Sequence, residues 1–429
     1  MVSPTRQVIG LGILLSSGMS SAAGEDAQLA REARLEWIVA RALEANPALR
    51  GEASRTRAAR DREDAAGRLP DLEIKAESWA IPLMSPLAVN RAFMHMIGLR
   101  QTFPPLGSRD AERRAAGEEA AQADDQLAAR REDLILDVRR AFTDYKRVES
   151  EYHLRLESLG LISRVVAASA GAYKTGGSSL ADQLRLKVES SRLDQEIARL
   201  EQAKHAATAT LNTLMGRGPD QELGPPGGRD PSGESPAVEA LDGEIAANRP
   251  EVTAARREIR KNEDLLDSTR RRASWPMLMI GVDYMNMPME IEHHGYGAMV
   301  SMNLPWLNPA RTVSVRAAEQ GREGAVRFLE AAENQARLEL RTASARLQAA
   351  RYRLTVADGS LIPQARQSLE ATQAAYGSGA GDLTALLDSF RAYLDARLDR
   401  VRAVAEVEDA EADVDRSVGR GRRLPARRP

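Results

Sequence analysis

Cysteine occurs nowhere in the 429 residues. A disulfide framework, a thiolate metal site and a lipidated N-terminal cysteine are therefore not expected. Past the first two dozen residues there is no run of 18 uncharged apolar residues, which excludes an ordinary membrane-spanning helix. Charge of one sign is lacking too: 60 Lys and Arg are interleaved with 62 Asp and Glu, for a net charge of -2. That balance gives no electrostatic basis for a nucleic-acid partner. A glycine-rich phosphate loop and an i,i+4 histidine pair are also missing, and the isolated His153 and His205 fall in charge-rich helical stretches where solvent exposure is expected. With no convergent acid, base or nucleophile set, the chain reads as a non-enzyme without a cofactor.

What is present begins with a leader. Met1 to Arg6 is a short basic start, Val8 to Leu15 an apolar core, and small residues run to Ala23-Gly24. This is the pattern of a secretory signal over 1–24, with the mature chain beginning near 24–26.

The remainder states one architecture twice. In 25–223, a helix near 32–66 carries Leu43-Glu-Ala-Asn-Pro47, Pro70 leads into strands at about 71–79 and 92–103, and Pro104-Pro105-Leu106-Gly107 precedes a long helix. In 237–415, Ile245-Ala-Ala-Asn-Arg-Pro250 lies in a comparable helix, strands follow at about 277–286 and 296–304, and Pro305-Trp306-Leu307-Asn308-Pro309 closes them. Matching landmarks lie about 200 residues apart. The Gly/Pro-rich stretch 224–236 reads as a linker and 416–429 as a basic tail.

Leu134, Val138, Ala141, Tyr145, Val148 and Tyr152 recur at spacings of four and three, the period of a coiled coil. Sixty-odd helical residues from Ser108 would reach roughly 95 Å, too long for one small globule. Both long helical runs break at related sequences, Tyr173 to Asp182 and Tyr376 to Asp382. Glycine permits each reversal, and Ser179 or Asp382 is placed to cap the returning helix, so each half is expected to end in a helical hairpin.

The strand windows hold ten of the thirteen methionines. Strand side chains alternate between faces. Leu278, Ile280, Val282 and Tyr284 share one parity, with Met277, Met279, Gly281, Asp283 and Met285 on the other. The return strand opposes Tyr296, Ala298, Val300, Met302 and Leu304 to Gly297, Met299, Ser301 and Asn303. In the first window Ile74, Ala76, His95, Ile97 and Leu99 are set against Glu73, Lys75, Glu77, Met94, Met96, Gly98, Arg100 and Thr102. A greasy outer face and a polar inner face over strands of this length suit a membrane β-barrel. Trp79, Trp275 and Trp306 lie near strand ends, where indoles favour a bilayer interface. Four strands cannot close a barrel, and open edges in lipid leave backbone groups unsatisfied. Several chains must share one wall; three would give twelve strands.

Ala42-Leu-Glu-Ala-Asn-Pro47, Met96-Ile-Gly-Leu-Arg-Gln-Thr-Phe-Pro104 followed by Pro105-Leu-Gly107, and Ala172-Tyr-Lys-Thr-Gly176 before Leu180-Ala-Asp182 stand in the order and spacing of a known group. Over roughly residues 30–415 the chain resembles the TolC family of outer-membrane efflux channels, particularly the branch serving heavy-metal efflux pumps. The resemblance implies a mainly α fold with transmembrane β: a homotrimer with a twelve-stranded barrel in the outer membrane of a Gram-negative bacterium, continued by a periplasmic α-helical tunnel. It implies a periplasmic adaptor protein and, through it, an energised inner-membrane pump. It also implies a gate at the inner hairpin tip, where Asp382 and Asp388 are the candidates. Thr175, Ser178, Ser179 and Gln183, at the first tip, are the candidates for adaptor contact.

Met94, Met96, Met277, Met279, Met285 and Met299 fall on the parity assigned to the lumen, and thioether sulfur suits Cu(I) or Ag(I). Met287, Met289, His293 and His294 add ligand types near the outer turn. A passive exit duct for Cu(I) or Ag(I) is the favoured reading. Zinc, cobalt or cadmium and organic compounds stay open as cargo, and a non-conducting periplasmic scaffold or adhesin is the alternative of another class.

Overall fold

The computed structural model describes residues 28–81, 89, 92–174, 179–227, 238–287 and 293–420. The expected signal, most of the 224–236 linker, the end of the basic tail, Thr175, Ser178 and Met289 lie outside the described residues. Among the described residues no helix is long and apolar enough to cross a membrane.

The first half runs β1 (Ala33–Arg34), α1 (Leu35–Ala45), α2 (Pro47–Ala65), β2 (Glu73–Trp79), β3 (Met94–Phe103), α3 (Ser108–Lys174) and α4 (Leu180–Leu214). After β4 (Pro226–Gly227) the second half runs α5 (Val238–Asn248), α6 (Pro250–Ser274), β5 (Leu278–Asn286), β6 (His294–Met302), α7 (Ala310–Val356), α8 (Ile362–Gly377) and α9 (Leu383–Ser417). The chain divides into two compact units, one of 51–128 and 250–334, the other of 1–50, 129–249 and 335–429; α2, α3 and α7 contribute to both.

The first of these units holds a four-stranded sheet in the order β2-β3-β5-β6, every neighbouring pair antiparallel. Its central pairing, β3 with β5, joins strands from the two sequence halves, from Phe103↔Leu278 to His95↔Asn286. Arginine and carboxylate side chains tie together the surrounding helices. Arg60 of α2 reaches Asp124 of α3 at 2.7 Å, and Arg257 of α6 reaches Asp125 at 2.6 Å. Arg270 reaches Glu319 of α7 at 2.7 Å. Small side chains at Ala111, Ala115 and Ala120 are buried, which lets the helix backbones approach closely.

In the second unit the predicted 32–66 helix is broken in two. Pro47 lacks an N–H and takes the first helical position, while the Asn46 Oδ1 accepts the Leu49 N–H at 3.1 Å as a cap. The Asn46 side-chain Nδ2 donates to the Leu214 carbonyl at 2.9 Å. Leu134, Val138, Tyr145 and Val148 of α3 are buried. The Tyr145 hydroxyl donates to the Gly224 carbonyl at 3.0 Å, and burial pushes its pKa up to about 12. Further along, Leu154 and Ile162 of α3, Leu186 and Leu193 of α4, and Leu383, Phe390 and Leu394 of α9 form one apolar core.

Candidate functional site

The sheet register decides which side chains share a face, because directly opposed residues project to the same side. One face carries Ile74, Ile97, Leu99, Ile280, Val282, Tyr296 and Val300, and all seven are exposed. Exposed β-branched and aromatic side chains along a whole sheet face are what a bilayer-facing wall requires. Near the β5–β6 turn this face also holds His95, whose ring Nδ1 lies 2.9 Å from the Ser78 hydroxyl. His294 lies there too, with its Nδ1 2.6 Å from the Tyr284 hydroxyl.

The opposite face is a lattice of charges, thioethers and glycines. Its rows read Glu73–Arg100–Gly281–Met299, Lys75–Gly98–Asp283–Gly297 and Glu77–Met96–Met285–Gly295, with Thr102–Met279–Ser301 beyond them. Met94 opposes Trp79 on this same face. Trp79, expected at a bilayer interface, thus has polar parity, and its indole N–H donates to Glu77 at 3.1 Å. Met277 precedes β5 and is bound through its backbone to Asn303.

Asp283 is 7% exposed although it is charged. Its Oδ1 stands 4.0 Å from the Arg100 guanidinium, and neither that oxygen nor the Arg100 Nε makes a hydrogen bond. Glycines make room for both. A side chain at Gly98 would collide with the Asp283 carboxylate, whose Cγ is 2.9 Å from where its Cβ would stand; at Gly281 the Arg100 Cγ is 3.2 Å away. The methionines lie along the same troughs. The Met299 methyl is 3.5 Å from the Cβ position of Gly281, the Met285 methyl 3.2 Å from that of Gly297, and the Met287 methyl 3.5 Å from that of Gly295. The sheet therefore brings Met94, Met96, Met279, Met285 and Met299 to one face. His294 goes to the other, because it opposes Asn286 and pairs with Tyr284. His293 sits at the turn, its backbone carbonyl accepting the Met287 N–H at 2.8 Å.

At the helical turns Ser179 and Asp182 form a reciprocal capping box, which holds the Asp182 carboxyl below its ordinary pKa. Gln183 donates to the Ser169 hydroxyl at 2.6 Å. Asp382 precedes α9 without a side-chain cap, and Asp388 is exposed beside Arg391 at 3.5 Å. The reversal itself needs Gly381, where a Cβ would lie 2.8 Å from the Tyr376 nitrogen.

One feature of this region has no counterpart in the periodicity. Ala357–Leu361, between α7 and α8, is π-helical. Pro363 cannot donate to the Gly359 carbonyl, so the α ladder is interrupted there. Asp358 within it pairs with Arg400 of α9 at 2.7 Å, beside a cavity of about 520 Å³ that His153 and Glu157 also line. The glycine and proline four residues apart were the sequence signal for it. Farther along α9, burial pushes the Asp409 pKa up to about 6, with Asp413, Glu408 and Asp144 adding to the shift and Arg140 opposing it.

The outer membrane efflux protein family matches the chain twice, over residues 38–217 and 241–420. The cobalt-zinc-cadmium resistance protein CzcC of Cupriavidus metallidurans is 24% identical over 314 residues, covering 73% of this chain and 74% of that protein. Among solved structures, a membrane protein from Pseudomonas aeruginosa superposes with a TM-score of 0.78 at 19% identity, over 91% of both chains. CusC does so with 0.76 at 16% identity, over 90% of this chain and 92% of its own. The outer membrane protein VceC of Vibrio cholerae gives 0.75 at 17% identity, over 90% and 96%. Two family matches laid over the two sequence halves, and a sheet with one greasy and one polar face, make this chain a member of the outer membrane efflux protein family, an efflux channel of the outer membrane with the TolC-like fold.

Proposed function

We propose that the chain is the exit duct of a tripartite pump and that its cargo is a heavy-metal cation, with Cu(I) and Ag(I) favoured. Three copies close a twelve-stranded barrel. In a single copy β2 and β6 are sheet edges with unpaired backbone groups, which lipid does not tolerate. A periplasmic adaptor meets the helical turns around Ser179 and Gln183, together with Thr175 and Ser178, and an inner-membrane pump supplies the energy. Asp382 and Asp388, in triplicate, form a carboxylate constriction at the periplasmic mouth, where mutual repulsion favours opening and bound cations favour closure.

The observation that carries the cargo assignment is the polar face itself, where thioethers outnumber every other ligand type. Neutral sulfur binds soft monovalent cations weakly enough to let them pass. Replacing Met94, Met96, Met277, Met279, Met285 and Met299 with leucine is expected to lower copper and silver tolerance while tolerance to organic compounds is unchanged. Normal copper and silver tolerance in a strain carrying the correctly inserted six-fold variant contradicts the assignment.

A second reading takes cobalt, zinc and cadmium as cargo. It is favoured by the 24% identity to a relative named for resistance to those ions. Under that reading deletion of the gene sensitises cells to zinc, cobalt and cadmium, and the methionine variant is silent.

A further inference from the structure

On the polar face, Asp283 is enclosed by groups of unlike chemistry. Register makes Gly98 and Gly297 its direct neighbours and puts Met96, Arg100 and Met299 on its diagonals. Diagonal neighbours lie about 7–8 Å apart at the backbone, within reach of long side chains. Met285 follows on its own strand, and over Gly297 the Met285 methyl and the Asp283 Cβ border the same space, 3.2 and 4.0 Å from the Cβ position. Over Gly281 the Met299 methyl and the Arg100 Cγ meet in the same way, at 3.5 and 3.2 Å. The result is a carboxylate nine-tenths buried, with methionine methyls over the adjacent glycines, one oxygen lacking any hydrogen bond and a guanidinium 4.0 Å away.

A buried carboxylate ordinarily takes hydrogen bonds from its cation. Here the cation stands off at 4.0 Å, and the Met285 and Met299 side chains end over the neighbouring glycines, Gly297 and Gly281, with Met96 one diagonal away. We infer that Asp283, Met96, Met285 and Met299 form a resting site for a thiophilic monovalent cation on the barrel wall, with Arg100 as the displaceable counter-ion that keeps binding weak. The inference rests on the reading of this face as the lumen. Thioethers supply soft donors, Asp283 the compensating charge, and Arg100 a repulsion that returns the ion to the lumen. Three glycines, Gly98, Gly281 and Gly297, keep these side chains flat against the wall, so the site does not narrow the path.

The charge assignments give opposite signs for two single substitutions. In the purified, detergent-solubilised full chain, Ag(I) in a nitrate buffer is titrated by equilibrium dialysis, and the silver X-ray absorption edge reports sulfur ligation. Asp283→Asn is expected to weaken binding about tenfold, and Arg100→Gln to tighten it several-fold. The Met96→Leu, Met285→Leu, Met299→Leu triple variant is expected to lose the sulfur signature. Circular dichroism and size-exclusion chromatography confirm that each variant keeps its sheet and assembly state. Methionines that bind silver indiscriminately leave both charge variants at the wild-type affinity, and that result overturns the site. Because the titration needs no conduction, failure here leaves the duct reading standing, whereas failure of the duct reading appears as loss of alternation between the sheet faces.

Discussion

Asp283 occupies the space that any side chain at Gly98 would need, although the two residues belong to different halves of the sequence and are paired across β3 and β5. Gly98→Ala therefore has to push a buried carboxylate off the wall, and it is expected to destabilise the sheet by roughly 1–3 kcal/mol. Gly281→Ala is the control. Its neighbour is the flexible Arg100 side chain at 3.2 Å, so its cost is expected to stay under about 1 kcal/mol. Guanidinium unfolding of the two variants in detergent compares them, and equal midpoints contradict this account of Gly98.

Asp409 makes stability depend on pH. Burial raises its folded pKa to about 6 from an ordinary carboxyl value near 3.8. The folded chain therefore binds more protons than the unfolded chain between those values. Its contribution is fully present below about pH 4 and is lost as pH rises through about 6. Asp409→Asn is expected to stabilise the helical unit at pH 7.5 by about 1 kcal/mol, a value discounted for the water that reaches this partly exposed group. The gain should vanish at pH 4. Thermal melts of both proteins across that range test the sign.

Glu189 of α4 is buried and receives Arg391 of α9 at 2.5 Å. Arg391 is itself 42% exposed at the side chain, so water screens part of the pair. Glu189→Gln is expected to cost about 1–2 kcal/mol, and a double-mutant cycle with Arg391→Gln to return a coupling near 1 kcal/mol. Additive effects would mean that the two side chains stabilise the helices independently.

The Ser179–Asp182 capping box fixes where α4 begins. Ser179→Ala is expected to remove about 1 kcal/mol from the first turn and to speed amide exchange at Asp182 and Gln183 about fivefold, with little change beyond Leu186. The folded Asp182 pKa is depressed, so the box holds above the ordinary carboxyl pKa and loosens as pH falls through the lowered value.

The strand faces were legible because a period of two is a local property: the alternation that separates Val282 from Asp283 is written in consecutive residues. Tertiary partners leave no such trace. Nothing near Gly98 announces that Asp283 will lie over it, and nothing near Asn46 indicates that its amide will reach the Leu214 carbonyl. Two departures had local signals with more than one meaning. Asn46-Pro47 divides α1 from α2 because proline suits the first position of a new helix and would break an old one, and Pro363, which leaves the Gly359 carbonyl without its α-helical donor, follows a π-helical segment where the helical period alone reads as continuous α-helix. His294 was read by its place in the turn sequence, whereas register sends it to the outer face beside Tyr284.

The division of the sheet into a lipid face and a water face bears everything else, and the absence of native cysteine allows a clean test. Single cysteines are introduced at Met279→Cys and Ser301→Cys on the polar face and at Ile280→Cys and Val300→Cys on the apolar face, and outer membranes are treated with a charged, water-soluble maleimide. Labelling at 279 and 301 with protection at 280 and 300 is the predicted result. Equal labelling at all four positions, as in a sheet with water on both sides, contradicts it.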